Sequence, residues 1–329
     1  MKKSLIALAV LASSGAAMAQ STVTLYGVAD VYFGRTSVTP AGGAKLSNTV
    51  VNSSGFNGSR WGLRGTEDLG GGLKANFVLE SGFSTDTGNV ANGATMFGRQ
   101  AFVGLSGGFG AVTMGRQYTA YDTLRGATNN TLDAATFSPT GDTWNNGIQD
   151  YANRVNNSIA YTSPSFGGFS GAAVLSLGEN KTATTSATDN VSLHVKYANG
   201  PLLVGYAHQR EETVGEDRKY NLLGASYDLG MVKLTGGYNQ VKFGALKDKE
   251  WQLGAQVPVS AAASILVGYA RSKAEGGVTE TKGTGYSLAG IYDVSKRTRL
   301  YVALKNTKIE TAAGDNKGNT FGVGVRHAF

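Results

Sequence analysis

The sequence has no cysteine in 329 residues. Neither a disulfide framework nor a thiolate metal site is therefore available, which suits an oxidising compartment. Histidine occurs only at His194, His208 and His327, with no metal-ligand spacing between them. Proline is scarce at 5 residues while glycine reaches 47 without a three-residue period. That excludes a collagen-like chain and points to many turns and close strand packing. After the first 19 residues no apolar run approaches the ~20 residues of a membrane-spanning helix. There is also no Lys/Arg-rich block: the +7 formal charge is carried by residues scattered singly along the chain, so nucleic acid is not an expected partner.

What is present begins with a three-part N-terminus. Lys2 and Lys3 precede an apolar run from Leu5 to Ala12, followed by Ala17-Met18-Ala19 before Gln20. This pattern reads as a secretory signal peptide over 1–19, leaving a mature domain over 20–329. Removing Lys2 and Lys3 leaves a charge of about +5.

The mature chain alternates. Phe321, Val323, Val325, His327 and Phe329 share one face of the last segment, opposite Thr320, Gly322, Gly324, Arg326 and Ala328. Val23, Leu25, Ala29, Val31 and Phe33 likewise oppose Thr24, Tyr26, Asp30 and Tyr32. Val191, Leu193, Val195 and Tyr197 oppose Asn190, Ser192, His194 and Lys196, and Trp251, Leu253, Ala255 and Val257 oppose Glu250, Gln252 and Gln256. A period of two marks half-buried strands. Two segments, 109–117 and 262–271, do not separate cleanly into faces.

Between the strands, short and long connections take turns. The short ones fall at 69–72, 106–108, 163–167, 199–201, 228–230, 258–260 and 293–296. The long, polar ones fall near 37–56, 84–96, 117–152, 178–189, 211–218, 244–248, 273–282 and 309–317. Seven short and eight long connections imply about sixteen antiparallel strands, all-β, in a membrane barrel with its two ends built differently. A ring of that size is too wide for side chains to fill, and its polar faces carry full charges such as Lys74, Glu80 and Lys196. The expectation is a barrel turned inside out, apolar toward lipid and polar toward water.

One connection stands apart. The segment from Gln117 to Asn153 is far longer than ordinary structureless loops and carries Asp122, Asp133, Asp142 and Asp150. Folded into the lumen, it would narrow the channel and bring carboxylates to the wall. Near its base lie Arg60, Arg64, Arg99 and Arg154. By parity Arg60 and Arg64 oppose Trp61 and Leu63, and Arg154 opposes Val155, Ile159 and Tyr161. Arginine facing lipid costs about 2–4 kcal/mol at mid-depth, so these side chains are expected in the lumen. There they either attract anions or neutralise the loop aspartates.

The run from Gly58 to Ala75, GSRWGLRGTEDLGGGLKA, carries a family resemblance together with Val23-Thr24-Leu25-Tyr26-Gly27, Arg99 to Leu105, Gly115-Arg116-Gln117 and the terminal Phe329. The chain resembles the Gram-negative general porins, nearest to the anion-preferring porins of beta-proteobacteria, over its whole mature length. The resemblance implies a sixteen-stranded outer-membrane barrel, a homotrimer in the lipid bilayer, and a third external loop folded inward. It further implies Arg60, Arg99 and Arg154 as a constriction cluster, beside which Arg64 and Lys74, placed by their polar faces, are expected as further basic residues of the lumen. Arg116 corresponds to an arginine that anchors loops near the subunit contact. Phe329 corresponds to the closing residue through which the outer-membrane barrel assembly machinery engages such chains. Small anionic or neutral solutes are the implied cargo, with no cofactor and no metal. The Pro-Glu-Phe-Gly-Gly loop motif of the enterobacterial branch is absent between 117 and 153, so the loop's shape does not carry over. No nucleophile–base pattern points to catalysis.

Overall fold

The computed structural model describes residues 22–329 except 94, 130–131, 133–135, 145–147 and 278–279. The signal-like segment and Asp133 lie outside the described residues. Seventeen strand segments form one antiparallel sheet that closes on itself. They amount to sixteen strands, because Leu46–Ser53 and Arg60–Gly70 pair end to end with the same neighbour and are two halves of one broken strand. In chain order β1 is Thr22–Thr39, β2 the broken strand, β3 Leu73–Gly82, β4 Gln100–Gly107 and β5 Gly110–Tyr118. Then follow β6 Arg154–Thr162, β7 Phe169–Ser176, β8 Asn190–Asn199, β9 Leu202–Glu211, β10 Arg218–Asp228 and β11 Lys233–Phe243. The ring ends with β12 Leu246–Pro258, β13 Ala263–Glu275, β14 Thr281–Asp293, β15 Thr298–Thr311 and β16 Gly314–Ala328.

Closure is made between β1 and β16, paired from Val28↔Ala328 to Thr39↔Lys317. Phe329 completes the seam, exchanging backbone hydrogen bonds with Gly27 at 3.0 and 3.1 Å. Among the described residues the ring is thereby continuous around all sixteen strands, the condition for backbone to survive in hydrocarbon, and Leu46–Ser53, the first half of β2, pairs with β1 alone.

The ring is inside out, as its alternation predicts. Leu25, Phe33 and Leu253 are about 60 % exposed on the outer surface, whereas Asp30, Glu250 and Ser272 on the inner face are fully buried. Aromatic pairs stud the outside, including Tyr238–Trp251 at 4.3 Å, Tyr269–Tyr286 at 5.2 Å and Phe169–Tyr197 at 4.7 Å between ring centroids. Rings with one apolar body and one polar tip suit the two membrane–water boundaries.

The connections alternate as expected, seven against eight, but not with the expected lengths. Two on the longer side shrink to two residues, 244–245 and 312–313. The strands there simply continue past the apolar belt. Beyond hydrocarbon both faces are polar, so the sequence loses its period of two while the ladder of hydrogen bonds runs on.

Between β5 and β6 the chain turns into the barrel. Helix α1 (Ala120–Thr128) starts at Thr119, whose side chain accepts from the Asp122 N–H, and α2 (Thr140–Thr143) is a single turn. Tyr121 and Leu124 of α1 pack on Ala207, Tyr220, Leu222 and Val241 of the inner wall. Farther on, Leu132 and Phe137 pack on Tyr32, Leu266, Ala289, Ile291 and Tyr301. Gly324 makes room there, since any side chain at that position would collide with the Tyr301 ring. This contact explains why 262–271 resisted assignment to faces. Leu266 and Ala270 are apolar yet point inward, because the loop covers them. Wall side chains also hold the loop backbone: Ser287 Oγ donates to the Phe137 carbonyl at 2.7 Å and Gln252 Nε2 to that of Thr128 at 3.1 Å.

Two outcomes are expected. Leu288 lies outward between Tyr286 and Tyr292, so Leu288→Arg should cost about 2–4 kcal/mol in refolding into bilayers, with Ser287→Thr on the opposite face as a milder control. Phe137→Ala should weaken the loop's seat by about 3–5 kcal/mol, read as faster proteolysis within 119–153 while the barrel stays folded.

Candidate functional site

The site begins with a break in a strand. Asp30 on β1 accepts the backbone N–H groups of Gly55, Phe56 and Asn57 at 3.0, 3.0 and 2.8 Å. The Tyr301 hydroxyl donates to the same carboxylate at 2.7 Å. Four donors on one buried carboxylate satisfy backbone groups that lost their sheet partners where β2 is interrupted. Gly55 is required, because a side chain there would strike Tyr301. The bent segment then delivers Arg60 to the inner wall as β2 resumes, its Nη1 donating to the Gly58 carbonyl at 2.9 Å.

Arg60 and Arg99 meet at Glu80 of β3. Arg99 Nε lies 2.7 Å from Glu80 Oε1, Arg60 Nε lies 3.5 Å from Oε2, and Tyr26 donates its hydroxyl to Oε2 at 3.0 Å. The Tyr118 hydroxyl, at the end of β5, accepts from Arg99 Nη2 at 2.8 Å and also from Arg154 Nη2. Arg154 lies over the Tyr118 ring, 4.1 Å from its centroid. From the loop side comes Arg125 of α1, its guanidinium carbon 4.9 and 5.0 Å from the ring centroids of Trp144 and Tyr151, donating to the Tyr151 hydroxyl at 2.9 Å. Tyr151 in turn donates to Asp122 Oδ1 at 2.6 Å. Burial pushes the Tyr151 phenol well above its ordinary range, with Arg125 pulling part of the way back. It therefore stays protonated and keeps its grip on Asp122.

All four arginines, Arg60, Arg99, Arg125 and Arg154, line a single cavity of about 400 Å³ together with Asp122. Glu80 stands behind two of them, so positive charge exceeds negative at the surface a solute meets. Guanidiniums remain charged at any working pH. Walls of low dielectric strengthen their field across the gap.

Sequence reasoning placed Arg60, Arg99 and Arg154 together, and they do share this cavity. Strict alternation fails next to Arg154. A bulge at Gly115–Gln117 and the positive φ of Asn157 shift the register, so Val155 is buried with Ala120, Ala160 and Val174 rather than facing lipid. Arg64 lies outside the cavity, stacked over Tyr26 at 5.1 Å, and Lys74 is exposed opposite Asp68 near a short turn. Arg116 donates to the Gly98 carbonyl at 2.8 Å and to Asn156 Oδ1 at 2.7 Å and takes no part in the cavity lining.

The loop acids divide. Asp122 lines the cavity, Asp142 forms an ion pair with Lys305 on β15, and Asp150 accepts the Tyr151 N–H at 2.9 Å. For Arg60 and Arg99 the ion-pair partner is not a loop aspartate, the alternative the sequence left open, but a wall residue, Glu80. Glu80 is legible in the sequence as a charge on a polar face, but its partners come from strands on either side. Arg125, Tyr118 and Tyr151 carried no pattern that singled them out.

The histidines serve separate places. His194 Nδ1 lies 2.7 Å from the Ala120 carbonyl at the start of α1, His208 contacts Asn221, and His327 contacts Thr298. Among the described residues no group of His, Asp or Glu could hold a metal ion.

Comparison with known proteins agrees with this architecture. The profile of a family described as Gram-negative porin matches residues 4–312. Outer membrane porin protein 32 of Delftia acidovorans is 39 % identical over the full length of both chains. An outer membrane porin protein of Bordetella pertussis is 32 % identical, again over both full lengths. The solved anion-selective porin from Comamonas acidovorans superposes with a TM-score of 0.80 at 32 % identity, covering 94 % of this chain and 100 % of that one. With its closed sixteen-stranded ring, inward loop and this extent of likeness, the chain belongs to the Gram-negative porin family.

Proposed function

We propose that this porin is a passive diffusion pore of the outer membrane that favours anions, with the field of Arg60, Arg99, Arg125 and Arg154 setting the preference. The excess of guanidiniums around one water-accessible cavity carries this reading. The loop between β5 and β6 sets the size limit and the arginines set the sign. Small hydrophilic solutes and ions, anionic or neutral, cross down their gradients without energy coupling. The anion selectivity named for the Comamonas relative is in keeping with it.

The same reading takes the mature chain to begin at Gln20, to assemble as a homotrimer, and to be inserted by the barrel assembly machinery through its closing strand and Phe329. Arg116, which holds the Gly98 carbonyl and Asn156, then steadies the loops near the contact between subunits. The relatives are named as porins, and the reading makes this chain a channel rather than an enzyme.

In planar bilayers under a KCl gradient, replacing Arg60, Arg99 and Arg154 together with glutamine should move the reversal potential toward cations. The chloride-to-potassium permeability ratio should fall about tenfold. An unmoved potential would remove the cluster from its role. Glu80→Gln should act in the opposite sense, because it deletes the carboxylate between Arg60 and Arg99 while keeping a hydrogen-bonding side chain. Reversal potentials measured on both variants test the sign directly.

A further inference from the structure

A second cavity lies in the lumen on the short-turn side of α1, separated from the arginine cavity by Tyr118, which lines both. Its volume is about 510 Å³, within the range of sites for small molecules. Its character differs from that of the first. In place of arginines it presents Phe102, Thr113, Thr162, Ser165, Ser170 and a single cation, Lys196.

The elements fix these groups on one wall. Phe102 is paired across from Gly115, so its ring has no bulky neighbour on that strand, and Ser170 is paired directly with Lys196. Among the described residues Lys196 forms no salt bridge, and Thr162, Ser165 and Ser170 give no side-chain hydrogen bond to the protein. Other hydroxyls nearby are used internally: Thr113 donates to Gln117 at 2.5 Å, Thr123 to the Thr119 carbonyl at 3.0 Å. The wall therefore offers one unpaired ammonium, a set of uncommitted hydroxyls and a flat apolar ring.

That combination matches one kind of solute. A sugar acid carries a single carboxylate for Lys196, hydroxyls for the Ser/Thr row, and a ring face of C–H groups for Phe102. A small inorganic anion would leave the ring and the hydroxyls unused. A neutral sugar would leave the ammonium unused.

We infer that this vestibule is a binding subsite for small hydroxylated carboxylates, held by Lys196 and Phe102 on their way through the pore. The inference rests on the chain being an anion-favouring channel. The subsite loads the solute beside the constriction from the short-turn side and raises its local concentration at Tyr118, where the arginines take over.

The test is single-channel recording in dilute KCl with D-glucuronate as probe and glucose as neutral control, added to either side. The wild-type channel should show current block by glucuronate that saturates with concentration and is stronger from the short-turn side, while glucose blocks weakly. Lys196→Gln should weaken the block about tenfold, the loss of one charge-assisted contact, while the KCl reversal potential moves less than in the arginine variant. Phe102→Leu should weaken block by glucuronate several-fold while block by glucose stays as weak as in the wild type. Heat-modifiable gel mobility confirms that each variant is folded. Block of equal strength in wild type and Lys196→Gln overturns the subsite while leaving the channel reading intact. Loss of all conductance or of anion preference in the wild-type protein instead overturns the channel reading.

Discussion

A peptide group in hydrocarbon has no water to bond with, and every other feature of this protein follows from satisfying that demand. A sheet meets it only by closing, and here closure is the β1–β16 seam, finished by Phe329 against Gly27. Once the ring is closed the two faces have fixed solvents. Leu25, Phe33 and Leu253 meet lipid, and Asp30, Glu80 and Lys196 are confined to the interior. A ring of sixteen strands is too wide to fill with side chains, so charged groups inside can remain hydrated. The pore is what remains when the outside has been made greasy enough to stay in the membrane.

The inward loop converts a wide pipe into a selective one, and it does so by ordinary packing. An apolar stripe on the inner wall, from Ala207 and Leu222 through Leu266 and Ala289 to Tyr301, receives Tyr121, Leu124, Leu132 and Phe137. Lys305 and the wall serines fasten the loop's polar groups on the same side. Pinned there, the loop leaves Arg60, Arg99 and Arg154 uncovered and adds Arg125 from its own helix. Glu80 limits repulsion among the guanidiniums without cancelling their field. Tyr118 links Arg99 to Arg154 through one hydroxyl.

Much of the fold was legible because its governing signal is local. Alternation along β1, β8, β12 and β16, the steady exchange of short and longer connections, and the oversized segment after Gln117 all survive in one dimension. Failures came where a third element intervened. Residues 262–271 look apolar on both faces because lipid covers one side and the loop the other, a fact no periodicity can encode. Connections such as 244–245 were read too long because alternation fades outside the membrane although pairing does not. For the site, the cost of arginine in lipid turns Arg60 and Arg99 to the lumen, where both line the cavity. The partnership with Glu80 depends on strand register, and that of Arg125 with Tyr151 and Trp144 on the loop's own fold. Neither leaves a mark in spacing.

Because the chain has no cysteine of its own, the central claim can be tested one side chain at a time. Single cysteines at Arg64, Asn76 and Lys196 on the inner face, and at Val195, Val267 and Leu288 on the outer, should separate cleanly. The inner set should react with a charged, water-soluble thiosulfonate and change the current through the open channel. The outer set should ignore that reagent and, when labelled with a fluorophore before refolding, be quenched by nitroxide-bearing lipids. Inner positions quenched by lipid, or outer positions that alter the current, would contradict an aqueous lumen inside an apolar ring.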